Sequence, residues 1–309
     1  MTPILHHYDF SPYAEKVRTM LGRKGLRWGS VEVPSVMPKP DLVALTGGYR
    51  HVPVLQVGAD VYCDTRCIAR ELDRRVPERP LSVAAHDPAQ AAQEAAIEAW
   101  VEGDLFWGIA RFASGVNAET VDAALHVDRA RLRGKAPPSV ERLRAVARRN
   151  LRTVRAALPA VAGLVAHGRP WLLGDAPGRA DFAAYHTLWF LSAFRIDCAA
   201  ELEPYPALRA WMARMAAIGH GTPVPMTASE ALAVAAAATP DVPAPSVIDD
   251  AMPAIGAAVA VRPDGYVTDP VEGLLVGYDV DDVAIARRDA RLGDTVVHLP
   301  RLGYTLVER

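Results

Sequence analysis

The sequence predicts an α/β unit over residues 1–80, an all-helical unit over 88–238 and a small β-rich unit over 247–309. Three observations point there. Strand-like and helix-like patterns alternate through the first unit. Alanine-rich stretches with apolar residues at helical spacing follow, and short alternating runs bounded by Asp, Gly or Pro close the chain.

In the first unit, Ile4-Leu5-His6-His7-Tyr8 is long enough for one buried strand. Ser11-Pro12 then reads as a helix start, a hydroxyl N-cap before proline at the first helical position, and Val17, Met20 and Leu21 continue it. A strand that runs straight into a helix leaves the helix's free N–H groups and positive dipole end above the sheet. That suits an anion, and a thiolate is one candidate. Trp28 to Val33 is a second strand, ended by Pro34, and Val36 to Pro40 is an exposed loop. Val52 to Val57 is a third strand, and Gly58-Ala59-Asp60 turns it into Val61-Tyr62. Thr65 to Arg75 is a helix, stopped before Pro77. This order is that of a thioredoxin-like domain.

Leu81 to Pro88 is a linker. Beyond it, Ile97, Trp100, Val101, Leu105 and Ile109 share one helical face, and a long helix over Val140 to Leu158 carries a single apolar stripe. Between them, Arg129 to Lys135 is a basic patch expected at a solvated helix end or loop. Ala180 to Phe194 is the most apolar helix, expected at the centre of its domain. Thr239 to Pro245 is a stiff proline-rich linker. Five strands follow, at Ala257–Val261, Leu274–Tyr278, Val283–Ala286, Thr295–Leu299 and Tyr304–Val307, suggesting a small barrel or curled sheet.

Composition narrows the function classes. A hydrophobic fraction of 50% suffices for packed cores, and no apolar run approaches the length of a membrane span. The start lacks the pattern of a signal peptide, so a cytoplasmic protein is expected. Cys63, Cys67 and Cys198 are odd in number and lack metal spacing; free thiols and no metal are expected. His6-His7 lies in a strand whose alternate side chains face opposite ways, which also disfavours a metal site. A net charge of −2 argues against nucleic acid as a partner. It hides an asymmetry, because residues 247–309 carry eleven acidic and six basic side chains.

Ser11-Pro12-Tyr13-Ala14-Glu15-Lys16-Val17-Arg18, then Val52-Pro53-Val54-Leu55, then Asp64-Thr65 opening a helix, together resemble the thioredoxin-like domain of the glutathione transferase family. The order and spacing of these motifs over about seventy residues carry the match. The resemblance extends more weakly to about residue 235 and does not cover the last unit. It implies a glutathione-binding domain over 1–80, a helical substrate domain over 88–238, glutathione as co-substrate and a homodimer.

The resemblance also implies roles. A hydroxyl at Ser11 would lie beside the sulfur of glutathione and stabilise its thiolate, with Tyr8 and Tyr13 as alternative hydroxyls; Ser11 as a helix cap alone is the plain alternative. A cis bond before Pro53 would expose the backbone of Val52 to pair with the cysteinyl backbone. Asp64 and Thr65 would hold the γ-glutamyl end, and His51, with Lys39 and Arg50 weighed beside it, would reach the glycine carboxylate. The second, apolar electrophile would lie near Phe10, Trp100, Phe106 and Trp107. Ser11-Pro-Tyr-Ala14 lacks both sulfurs of a dithiol motif, which removes disulfide exchange at this position. Gly178 to Asp181 matches the place of the family's helix-capping box without its hydroxyl half. The expected activity is addition of the glutathione thiolate to a small electrophile. The alternative is a non-catalytic thiol- or ligand-binding scaffold whose C-terminal unit docks a partner.

Overall fold

A computed structural model describes residues 1–83, 87–166, 168–243 and 249–309. The linker positions 84–86 and 244–248, where the sequence places two unit boundaries, lie outside the described residues. Strands are β1 (Ile4–His7), β2 (Arg27–Glu32), β3 (Val54–Val57), β4 (Asp60–Cys63), β5 (Thr222–Pro225), β6 (Ala258–Pro263), β7 (Val271–Tyr278), β8 (Asp282–Asp289), β9 (Gly293–Pro300) and β10 (Tyr304–Glu308). Helices are α1 (Pro12–Lys24), α2 (Pro40–Thr46), α3 (Thr65–Arg75), α4 (Pro88–Trp100), α5 (Phe106–Val116), α6 (Ala123–Leu132), α7 (Val140–Val165), α8 (Arg179–Trp189), α9 (Pro206–Ala217) and α10 (Ala228–Ala236). One π-helical turn, Val101–Leu105, joins α4 to α5.

All ten strands belong to one sheet, in the order β10-β6-β7-β8-β9-β4-β3-β1-β2-β5. The thioredoxin-like part is β2-β1-β3-β4, with β1 parallel to β2 and antiparallel to β3. The C-terminal strands neither close a barrel nor stand apart. They are antiparallel to one another, and β9 joins the outer edge of β4 in parallel register, Asp60 opposite Val296. A local alternating pattern identifies strands but says nothing of which distant edge they meet, so of the expected barrel or curled sheet the barrel is absent, and the strands extend the first sheet.

The far edge differs from expectation too. Residues 222–236, read from sequence with the helical unit, run back along the sheet as β5 and α10. Thr222 and Met226 donate their N–H groups to Leu26 and Ser30 carbonyls of the β2 side. By strand alternation the residues facing outward are Pro223 and Pro225, which have no N–H, so this edge offers no donor to another strand. Their prolines also hid the strand from the sequence reading. Gly22 on α1 permits the approach of the preceding turn: a Cβ there would lie 2.0 Å from the Gly219 carbonyl oxygen.

Two faces of the sheet bury different cores. Leu5 and Leu55 pack with Val17, Ile68 and the helical domain. The next residue along β3, Val54, packs on the other side with Val61, Leu42, Leu45, Leu232 and the C-terminal Val271, Leu275, Ile285 and Val297. The last unit thus shares its core with α2 and α10. A segment of about sixty residues is marginal alone, and this sharing answers how it is stabilised. Polar contacts continue the junction: His298 stacks on Tyr62 at 4.3 Å, Arg287 donates to the Ala44 carbonyl at 2.6 Å, and Arg70 pairs with Asp282.

In the helical domain, Asp181 accepts from the N–H groups of Gly178 and Leu172, each at 3.0 Å, and from Trp211 Nε1 at 2.9 Å. The carboxylate half of the capping box therefore ties together the start of α8, the loop before it and α9. Cys63, Cys67 and Cys198 are free and buried. Among the described residues, no helix is long and apolar enough to cross a membrane.

Candidate active site

Ser11 caps α1, its Oγ accepting from the Ala14 N–H at 3.2 Å. Capping uses a lone pair and leaves the hydroxyl proton free to be donated, so cap and sulfur contact are compatible. Ser11 lines a pocket of about 180 Å³ between α1, α5, α6 and the C-terminal unit. Tyr8 lines it too, with its hydroxyl accepting from Arg129 Nη2 at 3.0 Å. Tyr13 stands against Phe106 and His186, and burial pushes its phenol well above the ordinary range, keeping it protonated.

Beside this pocket is a cleft of about 590 Å³. The Val52–Pro53 bond at its floor is cis. The start of α3 forms one end, where Asp64 has φ 74°, the only non-glycine left-handed residue among those described. Such strain is tolerated where surroundings enforce it. Here Asp64 Oδ1 accepts from the Arg66 N–H at 3.0 Å, and Tyr304 donates to Oδ2 at 3.2 Å. Thr65 Oγ1 accepts from Lys16 Nζ at 3.3 Å, which leaves the threonine proton aimed elsewhere.

Lys16 itself is wholly buried and bonds Glu98 at 2.7 Å and Glu102 at 2.6 Å. Glu102 rides on the π turn and also meets His186 Nε2 at 2.9 Å. Burial alone would raise the Glu102 carboxyl; Lys16 and then His186 outweigh it and hold it below the usual range.

The C-terminal unit supplies walls to both spaces. Leu302, Gly303 and Tyr304 of the β9–β10 turn line the cleft, where Arg66 donates to the Leu302 carbonyl at 2.9 Å. Tyr266 lines cleft and pocket alike, its ring 4.9 Å from His51. The next residue, Val267, donates its N–H to the Leu132 carbonyl at 2.9 Å, strapping the C-terminal unit to the end of α6.

The residues expected from sequence divide between the two spaces. Pro53, Asp64 and Thr65 line the cleft; Phe10, Ser11, Phe106 and Trp107 line the pocket; Tyr13, His51 and Val52 belong to the wall common to both. Trp100 lines neither. It packs half-buried on the helical core, because the inward face of α4 carries Glu94 and Glu98, drawn in by Arg179 and Lys16, and the π turn then shifts the phase. Lys39 and Arg50, weighed for the glycine carboxylate, line the pocket and not the cleft. Sequence reasoning missed Lys16, Glu102, Tyr266 and Tyr304. The patch from Arg129 to Lys135 does lie at an exposed helix end, with Arg131, Arg133 and Lys135 exposed, but sequence reasoning missed that Arg129 and Arg133 also line the pocket. The presence of both arginines within one short patch was the available signal.

Residues 5–80 match the family described as the glutathione S-transferase N-terminal domain, and residues 118–218 match the glutathione S-transferase C-terminal domain. Among solved structures, a GST-like protein from Pseudomonas syringae is 33% identical, with 100% of this chain and 99% of that one covered and a TM-score of 0.80. A glutathione S-transferase from Sinorhizobium meliloti is 24% identical over 70% of this chain and 88% of that chain, with a TM-score of 0.52. A Tau class glutathione S-transferase from mango is 17% identical over 70% and 89%, with a TM-score of 0.53. The last two show the fold alone. No curated protein matches the chain. Both domain matches, and a relative of the same extent at that identity, lead to one conclusion: the chain belongs to the glutathione S-transferase family.

Proposed function

We propose that the protein is a glutathione-dependent transferase acting on a small electrophile. Glutathione occupies the cleft, its backbone paired with Val52 and its γ-glutamyl end at Asp64 and Thr65. The Ser11 hydroxyl donates to the sulfur, and the first N–H groups of α1 add their partial positive charge. The thiol loses its proton to solvent and the thiolate attacks the electrophilic carbon. The carbon–sulfur bond forms while the leaving group departs with its electron pair. His51 borders the glycine end.

The observation that carries this reading is the wall of Tyr13, His51 and Val52 common to cleft and pocket, with Ser11 beside it at the head of α1. A thiol held on one side thereby meets an electrophile held on the other. Calorimetric titration with glutathione, run beside turnover of chlorodinitrobenzene, tests it. Binding with turnover is expected; binding without turnover would leave a scaffold, and no binding would remove the assignment. A homodimer and a cytoplasmic setting belong to the same reading, and sedimentation of the full chain checks the first.

A further inference from the structure

The pocket beside Ser11 has an unusual charge pattern. Its walls are aromatic, with Phe106, Trp107, Phe190 and Tyr266 among them, yet four cations line it and no carboxylate does. Lys39, Arg50, Arg129 and Arg133 come from two different domains. Asp128, behind the lining, pairs with both Arg50 and Arg129. Lys39 and Arg133 have no carboxylate partner among the described residues. Lys39 Nζ is left with the Arg50 carbonyl at 3.1 Å and the face of Tyr8 at 5.7 Å. The Arg133 guanidinium stands over Trp107, 4.8 Å from the ring centre.

Like charges gathered at one pocket repel one another and favour an anion: Lys39 is buried there, and Arg133 stands exposed at the rim, open to meet one. Two further features go with this imbalance. Burial first, then Arg129 and Arg50, lower the Lys39 ammonium to about 7. Burial and the same three cations hold His51 neutral, and its Nε2 is buried with no hydrogen-bond partner among the described residues. The C-terminal strap then fixes the geometry. The Val267 N–H holds the Leu132 carbonyl, the residue before Arg133, while Tyr266 closes the aromatic wall.

We propose that this pocket takes an aromatic acid as second substrate, its ring against Trp107 and Tyr266 and its carboxylate on Arg133, the pocket guanidinium without a carboxylate partner among the described residues. This rests on the transferase reading for the word substrate; as a binding site it stands on the charge pattern alone. Planar anions suit it because guanidinium groups pair carboxylates in two parallel hydrogen bonds while the aromatic faces stack on the ring. The strap makes the C-terminal unit part of the specificity of the pocket.

The test compares chloronitrobenzoate with its neutral amide on the full chain saturated with glutathione. Binding is followed by calorimetry and turnover by thioether formation. The acid is expected to bind at least about tenfold more tightly, with the preference weakening as salt is raised. Arg133→Gln should remove most of that preference, and Arg131→Gln, two residues earlier and outside the pocket lining, should leave it intact. Equal binding of acid and amide would overturn the proposal. So would an Arg133→Gln variant that weakens glutathione binding yet keeps the acid preference, since the cations would then serve the glycine carboxylate. Acid preference without turnover upholds the pocket and removes the transferase reading; turnover without acid preference does the opposite.

Discussion

The cleft and the pocket share a wall but handle charge in opposite ways. Around the cleft, Lys16 meets Glu98 and Glu102, Arg66 meets Asp64, and Arg70 meets Asp282. In the pocket two cations go without a carboxylate partner among the described residues. Paired charges fix positions, and unpaired charges remain to be answered by a ligand. On the proposed reading the cleft is a frame that holds one ligand in register, and the pocket is a field that attracts another.

The largest expected effect comes from breaking the frame. Lys16→Met leaves the buried Glu98 and the half-buried Glu102 without their cation, which should cost about 3 kcal/mol of stability, seen as a lowered Tm. The same pair gives a pH signature. Glu102 is held below the usual carboxylate range, so its contribution is present above the unfolded value and is lost as pH falls through the lowered one. Normalised to neutral pH, the wild type should therefore lose more Tm on acidification than Glu102→Gln, which has no such carboxylate to protonate.

Next comes the junction. Ser11→Ala should lower kcat by roughly ten- to a hundredfold with little change in glutathione binding, because a hydrogen bond to a charged partner is lost at the sulfur. The thiol pKa in the complex should rise with it. Full activity in Ser11→Ala together with loss in Tyr13→Phe would move the sulfur contact to Tyr13. Thr65→Ala should act in the opposite sense, raising KM for glutathione about tenfold with a smaller change in kcat, since its contact is the same in ground and transition states.

Two smaller effects sharpen the contrast. Lys39 is an ammonium below about 7 and an amine above it, and it faces Arg50, Arg129, Asp128 and the Tyr8 ring. Its charge favours an anion only on the acid side. The ratio of kcat/KM for an acidic over a neutral electrophile should therefore fall a few-fold as pH rises through that value, and a flat ratio would exclude Lys39 from the anion's surroundings. Tyr304→Phe removes one hydrogen bond to Asp64, and KM for glutathione should rise about two- to fivefold.

Much of this was legible before any coordinates. The helix over Thr65–Arg75 was bounded by its cap and by Pro77, and the five C-terminal strands announced themselves by alternation and turns. Local signals failed where the answer depends on distant residues. Nothing in Asp60–Cys63 marks it as the partner of β9. Nothing in Arg129 to Lys135 reveals that Tyr266 and Val267 fold over it. Trp100 was misplaced because an even helical period was carried through a π turn, and because two glutamates on the inward face of α4 look like a solvated side until Lys16 and Arg179 are known to oppose them.

The parallel pairing of β4 with β9 has a consequence for how the molecule is made. Residue 60 waits for residue 296 before its outer edge is covered. Contacts this distant in sequence form late, since the long loop must be closed before they reward the chain. During synthesis the thioredoxin-like part therefore emerges with one edge blunted by nothing and its Asp64 corner lacking Tyr304. Until the last strands arrive, the nascent chain carries an open template for strand addition, the kind of surface that chaperones cover. The segment that lines both the cleft and the pocket is thus also the one that covers this edge.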